Sequence, residues 1–154
     1  MLDRIYEKYP HSRLKVISDA DFAPGEMPVE NKRWNSREEI NDILSLDIGI
    51  SPLPNDLWTR GKCGLKLIQY QAAGLPVVAS RTGVHPEIIA DGHNGFLAST
   101  DDEWIKALST LTEDGTLRKH MGLNGRALVE KKYSLEAGVE ILVDILKTAH
   151  NEHN

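Results

Sequence analysis

The sequence predicts an α/β fold in which helices cover both faces of a mainly parallel, doubly wound sheet. Short apolar strands alternate with helical segments between Leu14 and Ala98, and the pattern is helical from Asp101 onward. Glycine, proline and asparagine separate these segments. Parallel strands need crossover connections and are buried on both faces, so this alternation is typical of a sheet between two helical layers.

The first half of the chain contains two predicted helices and three predicted strands. Pro10 ends the first helix, and Asn35 or Ser36 is expected to cap the second. Glu38 and Glu39 then fall in its first turn, where the helix dipole favours negative charge. The predicted elements are a helix over 2–9, strands over 14–18 and 29–34, a helix ending at residue 44, and a strand over 46–51.

The second half begins with a predicted helix over 65–73, followed by strands over 75–79 and 96–98 and then by three helices. Thr100 or Asp101 is expected to cap the first of the three. The Asp114-Gly115 pair separates it from the second, and Ser134 opens the last. In the last helix five apolar residues share one face, which predicts that this face is buried: Leu135, Val139, Leu142, Leu146 and Ala149.

Length and composition predict one domain over residues 1–149 with a polar, disordered tail over 150–154. The net charge is −5 and there is no run of Lys or Arg, so general nucleic-acid binding is not expected. The single cysteine, Cys63, excludes an internal disulfide and agrees with a cytoplasmic location. The sequence has no apolar run of membrane-spanning length.

The residues around Gly64 have the pattern of an anion site. A loop with Gly61 and Gly64 leads into the helix over 65–73, and the first amides of such a helix bind phosphate groups well. Arg60 and Lys62 add positive charge, and Gln69 lies about one and a half turns further along. The alternative on this local pattern alone is a surface loop with solvated basic residues.

Ligands of parallel sheets bind outside the carboxyl ends of the strands. Four loops should therefore share one edge of the sheet: the loop after Ser18, the turn at Trp34 and Asn35, the loop over 52–62, and the loop over 82–85. Residues distant in sequence are then expected to line one cleft.

A longer pattern surrounds this segment. The residues in question are Asp47 to Pro52, Gly64, Leu65, Ala72, Gly74, Pro76 to Ser80, Gly83, Pro86, Glu87, Ile88, Gly92 and Asn94 to Phe96. In this register the chain resembles the donor-binding domain of the retaining GT-B glycosyltransferases of group 1 (family 4 type), from about Leu14 to Leu97. The resemblance implies a Rossmann-like domain, half of a GT-B architecture, with an all-helical C-terminal part.

The resemblance implies a role for each matching residue in binding a nucleoside diphosphate sugar. Gly64 and Leu65 fall on the diphosphate-binding turn, with Arg60 and Lys62 beside it. Gln69 falls where the family carries the glutamate that contacts the donor ribose. The three other implied donor-binding residues are Trp34 and Asn35, beside the nucleobase, and Glu87, near the donor sugar.

The chain departs from the family in three ways. Gly61 and Gln69 stand where the family has two glutamates, and a glutamine keeps hydrogen bonding without charge. The first strand, with its Arg and Lys, is missing. The N-terminal acceptor domain is missing as well. We therefore expect the chain to be part of a hexosyltransferase and to be inactive in isolation. No cofactor and no metal are expected. Peripheral association of the full-length enzyme with a membrane is possible.

Other residues admit two interpretations each. Asp19 and Asp21 could hold a divalent cation, but a simple loop is the favoured interpretation. Trp34 either stacks on a base or belongs to the core. Glu87 stabilises the start of its helix in the simpler interpretation. His85, beside the same loop, could touch a phosphate or a sugar hydroxyl, but a solvated loop residue is the favoured interpretation.

Three alternatives to a transferase remain open at this point. A non-catalytic nucleotide-sugar-binding module would account for the two absent glutamates. A sugar-nucleotide epimerase shares the two-domain architecture. A phosphate-responsive receiver-like domain needs an acidic pocket, of which Asp19 and Asp21 offer only a part.

Overall fold

The computed structural model describes residues 1–151 as eight helices and five strands. The helices are α1 (Leu2–Lys8), α2 (Glu39–Leu44), α3 (Leu57–Arg60), α4 (Leu65–Ala72), α5 (His85–Ile88), α6 (Asp101–Glu113), α7 (Gly115–Lys132) and α8 (Leu135–Asn151). The strands are β1 (Leu14–Ile17), β2 (Val29–Lys32), β3 (Gly49–Ser51), β4 (Val77–Ser80) and β5 (Gly95–Ala98).

All strand pairs are parallel, which confirms the predicted fold class. β1 pairs with β2, while β4 lies between β3 and β5. The five strands thus form two sheets of two and three strands, where the sequence suggested one. β1 and β3 each pair along one edge only, and their other edges border a cleft that is described below.

Helices cover both faces of the three-stranded sheet. Successive side chains of its central strand, β4, therefore point alternately into two hydrophobic clusters, one on each face. Val78 belongs to a cluster with Ile5 and Trp104, under α1 and α6. Its neighbours Val77 and Ala79 belong to a second cluster with Leu67 and Ile88, under α4 and α5. All of these side chains are buried. Burial on both faces explains why β4 is apolar at consecutive positions.

Three of the predicted helix starts are confirmed. The Thr100 hydroxyl accepts a hydrogen bond from the Glu103 amide, and the Glu103 carboxylate accepts one in return from the Thr100 amide, which forms a capping box. Asp114 caps α7 through the Leu117 amide at 2.8 Å. Ser134 accepts from the Ala137 amide at 3.2 Å and starts α8.

The predicted cap of α2 is wrong. The helix begins at Glu39, and Glu38 precedes it without a side-chain cap. Asn35 instead starts a turn: its side-chain oxygen accepts from the Arg37 amide, and its carbonyl accepts from the amides of Glu38 and Glu39. Leu46 closes the other end of the helix by donating to the Ile43 carbonyl, so β3 begins only at Gly49.

The short helix α3 was not predicted. Asp56 and Thr59 form a capping box around its start, and the Thr59 hydroxyl also donates to the Pro54 carbonyl. A helix of four residues is too short to show a 3.6-residue period, and the two prolines before it favoured a loop. The Asp-x-x-Thr spacing was the available signal.

Helix α7 packs closely against the end of α4. A methyl group added to Gly122 would lie 1.9 Å from the Gly74 carbonyl oxygen, and one added to Gly125 would lie 2.9 Å from the Gln71 side chain. Both glycines are buried. The two helices can approach this closely only because α7 has no side chains at these positions.

Helix α8 contradicts the prediction of a buried apolar face. Its large apolar residues are exposed, from 39% for Val143 to 79% for Leu135, with Leu142 at 55% and Leu146 at 60%. No other described element covers this face. The helix also continues through Asn151, so it contains the first two residues of the predicted tail, while residues 152–154 lie outside the described part.

Candidate functional site

The loops that follow the strands meet at one edge, as expected. Phe22 follows β1, Trp34 follows β2 and Pro52 follows β3, and all three line one cleft of about 300 Å³. The loop after β4 joins them through Thr82, whose hydroxyl donates to the Asn55 side-chain oxygen at 3.1 Å. A depression of about 640 Å³ lies elsewhere, beside Pro10 to Arg13 and Pro28 to Glu30 at the amino ends of β1 and β2.

The cleft is mostly apolar, with a few polar side chains from α2 and α4. All four residues of β1 line it, together with Ile50 and Tyr70. Burial raises the pKa of the Tyr70 hydroxyl. The polar lining groups from the helices are Glu39, Lys66 and Gln69. A small set of polar groups within apolar walls is the usual character of a small-molecule site.

Gly64 immediately precedes helix α4, and its φ of +71° lies in the left-handed region. A methyl group added there would lie 2.6 Å from Ile88 Cδ1 and 3.0 Å from Val84 Cγ1, so α5 packs directly beside this turn. Gly64 itself is partly exposed. The amides of Leu65 and Lys66 have no acceptor in the described part of the chain, which leaves the start of α4 open to an anion.

Two cations stand before this helix start, as the sequence predicted. Arg60 is the last residue of α3, and its guanidinium donates to the Asn55 side-chain oxygen at 2.8 Å. Lys62 is exposed in the connecting loop. Sequence reasoning missed Asn55, which holds both Arg60 and Thr82; the only signal for it was its place after two prolines at a strand end.

Trp34 and Gln69 are joined in the cleft by the carboxylate of Glu39, which the sequence analysis had considered only as a residue that stabilises the start of a helix. Glu39 Oε1 accepts from Trp34 Nε1 and from Gln69 Nε2, each at 3.3 Å. Trp34 is half exposed, at 50%, so it is not a core residue. Asn35 is exposed, does not line the cleft, and has its side-chain oxygen occupied by the Arg37 amide.

Helix α5 places two of the candidate residues differently. Glu87 is exposed beside the start of α4, since its neighbours Val84 and Ile88 contact the Gly64 turn. His85 is only 2% exposed, which corrects the expectation of a solvated loop residue. Its Nδ1 lies 2.8 Å from the Ser80 carbonyl, an acceptor, so Nδ1 carries the proton. His85 therefore anchors α5 to the end of β4.

The acidic pair after β1 does not form a cluster. Asp19 and Asp21 are both exposed, and Asp21 lies 3.7 Å from the Arg33 guanidinium. Within residues 1–151 no three His, Cys, Asp or Glu side chains are arranged to hold a metal ion. Over the same range no helix is long and apolar enough to cross a membrane.

A buried carboxylate fixes α2 to the two-stranded sheet. Asp42 is 3% exposed, and its Oδ1 accepts from Lys32 at 2.7 Å and from Lys15 at 3.0 Å. The hydrogen bond from Lys32, followed by that from Lys15, lowers the pKa of the Asp42 carboxyl, and the same contact raises the pKa of Lys32. Since α2 carries Glu39, this ion network positions one wall of the cleft.

The structure thus separates the predicted site residues into two adjoining groups. Trp34 and Gln69 line the cleft, while Gly64 forms the open start of α4 and Arg60 and Lys62 lie in the segment just before it. Lys66, the second residue of α4, belongs to both places. Leu65 contributes its free amide, and the remaining predicted residues, Asn35 and Glu87, stand outside the cleft.

The class of protein is defined by a Rossmann-like α/β domain in which the loops after the strands, a cleft and an open helix start share one edge, and comparison with known families agrees. The family model for glycosyl transferases group 1 matches residues 32–114, which is more than half of the chain. The chain belongs to this family. Its architecture is the Rossmann-like half of a GT-B fold, as the resemblance implied.

Individual relatives are similar over different shares of the chain. A GDP-mannose-dependent monoacylated alpha-(1-6)-phosphatidylinositol monomannoside mannosyltransferase of Corynebacterium glutamicum is 31% identical over 123 residues, which cover 75% of this chain and 31% of that protein. The chain therefore spans about a third of this relative. Sucrose-phosphate synthase from Thermosynechococcus elongatus has a TM-score of 0.78 at 17% identity, over 97% of this chain and 41% of that one. Anabaena HepE, solved in complex with UDP-glucose, has a TM-score of 0.59 at 18% identity, over 81% and 33%.

Proposed function

We propose that this chain is the donor-binding part of a glycosyltransferase and holds a nucleoside diphosphate sugar at the start of α4. The observation that carries the proposal is that the cleft reaches Lys66, so it adjoins the free amides of Leu65 and Lys66. These amides, with Arg60 and Lys62, bind the diphosphate. During transfer the departing nucleoside diphosphate gains negative charge, which the same groups stabilise.

In this proposal the nucleoside occupies the end of the cleft where Trp34, Glu39 and Gln69 meet. The Trp34 ring, half exposed and next to Asn35, stacks on the base, and Gln69 contacts the ribose. Glu87, exposed on α5 beside the Gly64 turn, lies toward the donor sugar. The relatives support the substrate class, since one is named for GDP-mannose and another was solved with UDP-glucose.

We propose that binding and transfer need no metal and no further cofactor, because backbone amides and cations already face the diphosphate. Transfer would retain the anomeric configuration, as the family resemblance implies. The group that accepts the proton of the acceptor would lie on the acceptor domain. The reaction is proposed to take place in the cytoplasm. The full-length enzyme is proposed to be able to associate with the surface of a membrane.

Two surfaces support the proposal that further polypeptide completes this domain. The free edges of β1 and β3 border the inner part of this cleft, and one more extended strand between them would fill that part and join the two sheets. The exposed apolar face of α8 is suited to packing against an acceptor domain. On this view residues 1–154 bind the donor but do not turn it over alone.

The proposal is tested by calorimetric titration of the chain with UDP, GDP and ADP. Binding of at least one is expected, and Lys62→Ala should weaken it about three- to tenfold, because one exposed cation near a phosphate contributes about 1 kcal/mol. Lys147→Ala is the matched control, since Lys147 is also exposed but lies on α8. Failure of all three nucleotides to bind, or equal effects of the two variants, would contradict the proposal.

A second candidate is a non-catalytic nucleotide-sugar-binding module, and a third is a sugar-nucleotide epimerase. The observation that favours the module is the absence of carboxylates at Gly61 and Gln69. Incubation of the full-length protein with UDP-glucose or GDP-mannose, with a lipid or glycan extract added to supply an acceptor hydroxyl, distinguishes the three. A transferase releases the nucleoside diphosphate, an epimerase changes the sugar, and a module returns the donor unchanged.

A further inference from the structure

Glu39 is the only carboxylate that lines the cleft in the described structure. It is the first residue of α2 and is partly buried. One of its oxygens accepts from the Trp34 indole and from the Gln69 amide, each at 3.3 Å. Three side chains from two helices and a strand end are therefore joined at one carboxylate oxygen.

The partners of this carboxylate are neutral. Neither Trp34 nor Gln69 carries charge, and Glu39 forms no ion pair within residues 1–151. The neighbouring Glu38 differs, since it pairs with Lys32 at 2.7 Å. Glu39 is thus a carboxylate without a cationic partner at the cleft, and its second oxygen, Oε2, has no hydrogen-bond partner in the same range.

The contact also fixes the orientation of Gln69. Its amide nitrogen donates to Glu39, so its carbonyl oxygen, Oε1, is the group left to accept a hydrogen bond from a ligand. Glu39 Oε2 and Gln69 Oε1 are then two acceptors, one of them charged, on adjoining side chains of one cleft. A pair of neighbouring hydroxyl groups, each donating one hydrogen bond, is the ligand chemistry that fits such a pair of acceptors.

We propose that Glu39 binds the ribose of the donor and supplies the negative charge that Gln69 lacks. This inference rests on the proposed function. The ribose 2′- and 3′-hydroxyls donate to Glu39 Oε2 and Gln69 Oε1, while Trp34 is held by its indole nitrogen beside the base. A hydrogen bond to a charged acceptor is stronger than one to a neutral acceptor, so the glutamate sets most of the preference for a ribose.

The test compares each nucleoside diphosphate that binds with its 2′-deoxy counterpart, by calorimetry, in the parent chain and in Glu39→Gln. The parent is expected to prefer the ribonucleotide about tenfold, as one charge-assisted hydrogen bond implies. Glu39→Gln should reduce the preference to about twofold or less. Glu38→Gln, whose side chain pairs with Lys32 outside the cleft, should keep the preference of the parent.

A charge-swap variant separates charge from packing. Glu39→Gln combined with Gln69→Glu moves the carboxylate to the side chain that accepts from the 3′-hydroxyl, so the preference over the 2′-deoxy nucleotide should stay low, while the preference over the 3′-deoxy nucleotide should exceed that of Glu39→Gln alone. A role of Glu39 in packing alone would change overall affinity and leave the ratio of the two affinities unaltered. An unaltered ratio in Glu39→Gln, or no gain in preference over the 3′-deoxy nucleotide in the double variant, overturns the inference while the proposed function stands. If the parent binds no nucleoside diphosphate, the proposed function fails and the inference fails with it.

Discussion

Two glycines at opposite ends of α4 allow the anion site to be tested apart from stability. Gly64 precedes the helix with φ +71°, and Gly74 follows it with φ +74°. Alanine at either position costs about 1–2 kcal/mol, because its Cβ crowds the backbone in the left-handed region. The surroundings differ: nothing lies within 4 Å of a methyl group at Gly74, whereas Ile88 Cδ1 lies at 2.6 Å from one at Gly64.

These contacts set the expected magnitudes. Gly74→Ala should lose about 1–2 kcal/mol of unfolding free energy in urea. Gly64→Ala should lose about 1 kcal/mol more, since the flexible end of Ile88 can rotate away at the cost of a poorer rotamer. Gly64→Ala should also weaken binding, because a crowded turn before α4 displaces one amide from the phosphate. The lost hydrogen bond is worth about 1.5–3 kcal/mol, which corresponds to a loss of roughly 10- to 150-fold in affinity for a nucleoside diphosphate.

Gly74→Ala should leave that affinity within about twofold, because it lies at the other end of a helix that is about 12 Å long. Urea denaturation followed by circular dichroism gives the stabilities, and calorimetry with the nucleoside diphosphate gives the affinities. Equal affinities in Gly64→Ala and Gly74→Ala would refute the assignment of the diphosphate to the start of α4. Equal stabilities would refute the close contact between Gly64 and Ile88.

Two further predictions concern stability. Asp42→Asn should be less stable than the parent at pH 7, because Lys15 and Lys32 lose their counter-charge. Since the pKa of Asp42 is lowered in the folded protein, its carboxylate stabilises the fold fully above the ordinary pKa of about 4, and this stabilisation is lost as the pH falls through the pKa of the folded state. Urea denaturation at pH 7 and at pH 3 should therefore show a smaller difference in unfolding free energy between parent and variant in acid. Gly122→Ala should be about 1–3 kcal/mol less stable than Gly138→Ala, since both gain about the same helix propensity but only the first places a methyl group 1.9 Å from the Gly74 carbonyl. Thermal melts of the two glycine variants check this, and equal melting temperatures would contradict the close packing of α7 on α4.

Local sequence patterns predicted most elements of the fold because these elements depend on neighbouring residues. The capping box of Thr100 and Glu103 and the cap at Asp114 are set by side chains three residues from the amides they bind. The buried strand β4 was recognised from consecutive apolar residues. The predicted cap at Asn35 was wrong because its side chain formed a competing local turn through the Arg37 amide.

The predicted helix start is present where the backbone itself forms it, whereas the contacts between side chains in the cleft were not predicted. The start of α4 at Gly64 follows from a short motif. Glu39 was not assigned to the site, since its contacts with Trp34 and Gln69 join residues that are 5 and 30 positions away. His85 was placed in solvent, because burial against the Ser80 carbonyl depends on the position of α5 in the assembled fold.

The sequence by itself determined the alternation of strands and helices, the open turn before α4 and the family to which the chain is similar. Each of these is carried by hydrogen bonding and sterics within a few residues. Only the tertiary structure decided which side chains share the cleft, that Asp42 is buried between Lys15 and Lys32, and that the apolar face of α8 stays uncovered by the described residues. Burial is a property of how separate elements pack against one another, so an amphipathic helix identifies an apolar face without identifying what covers it.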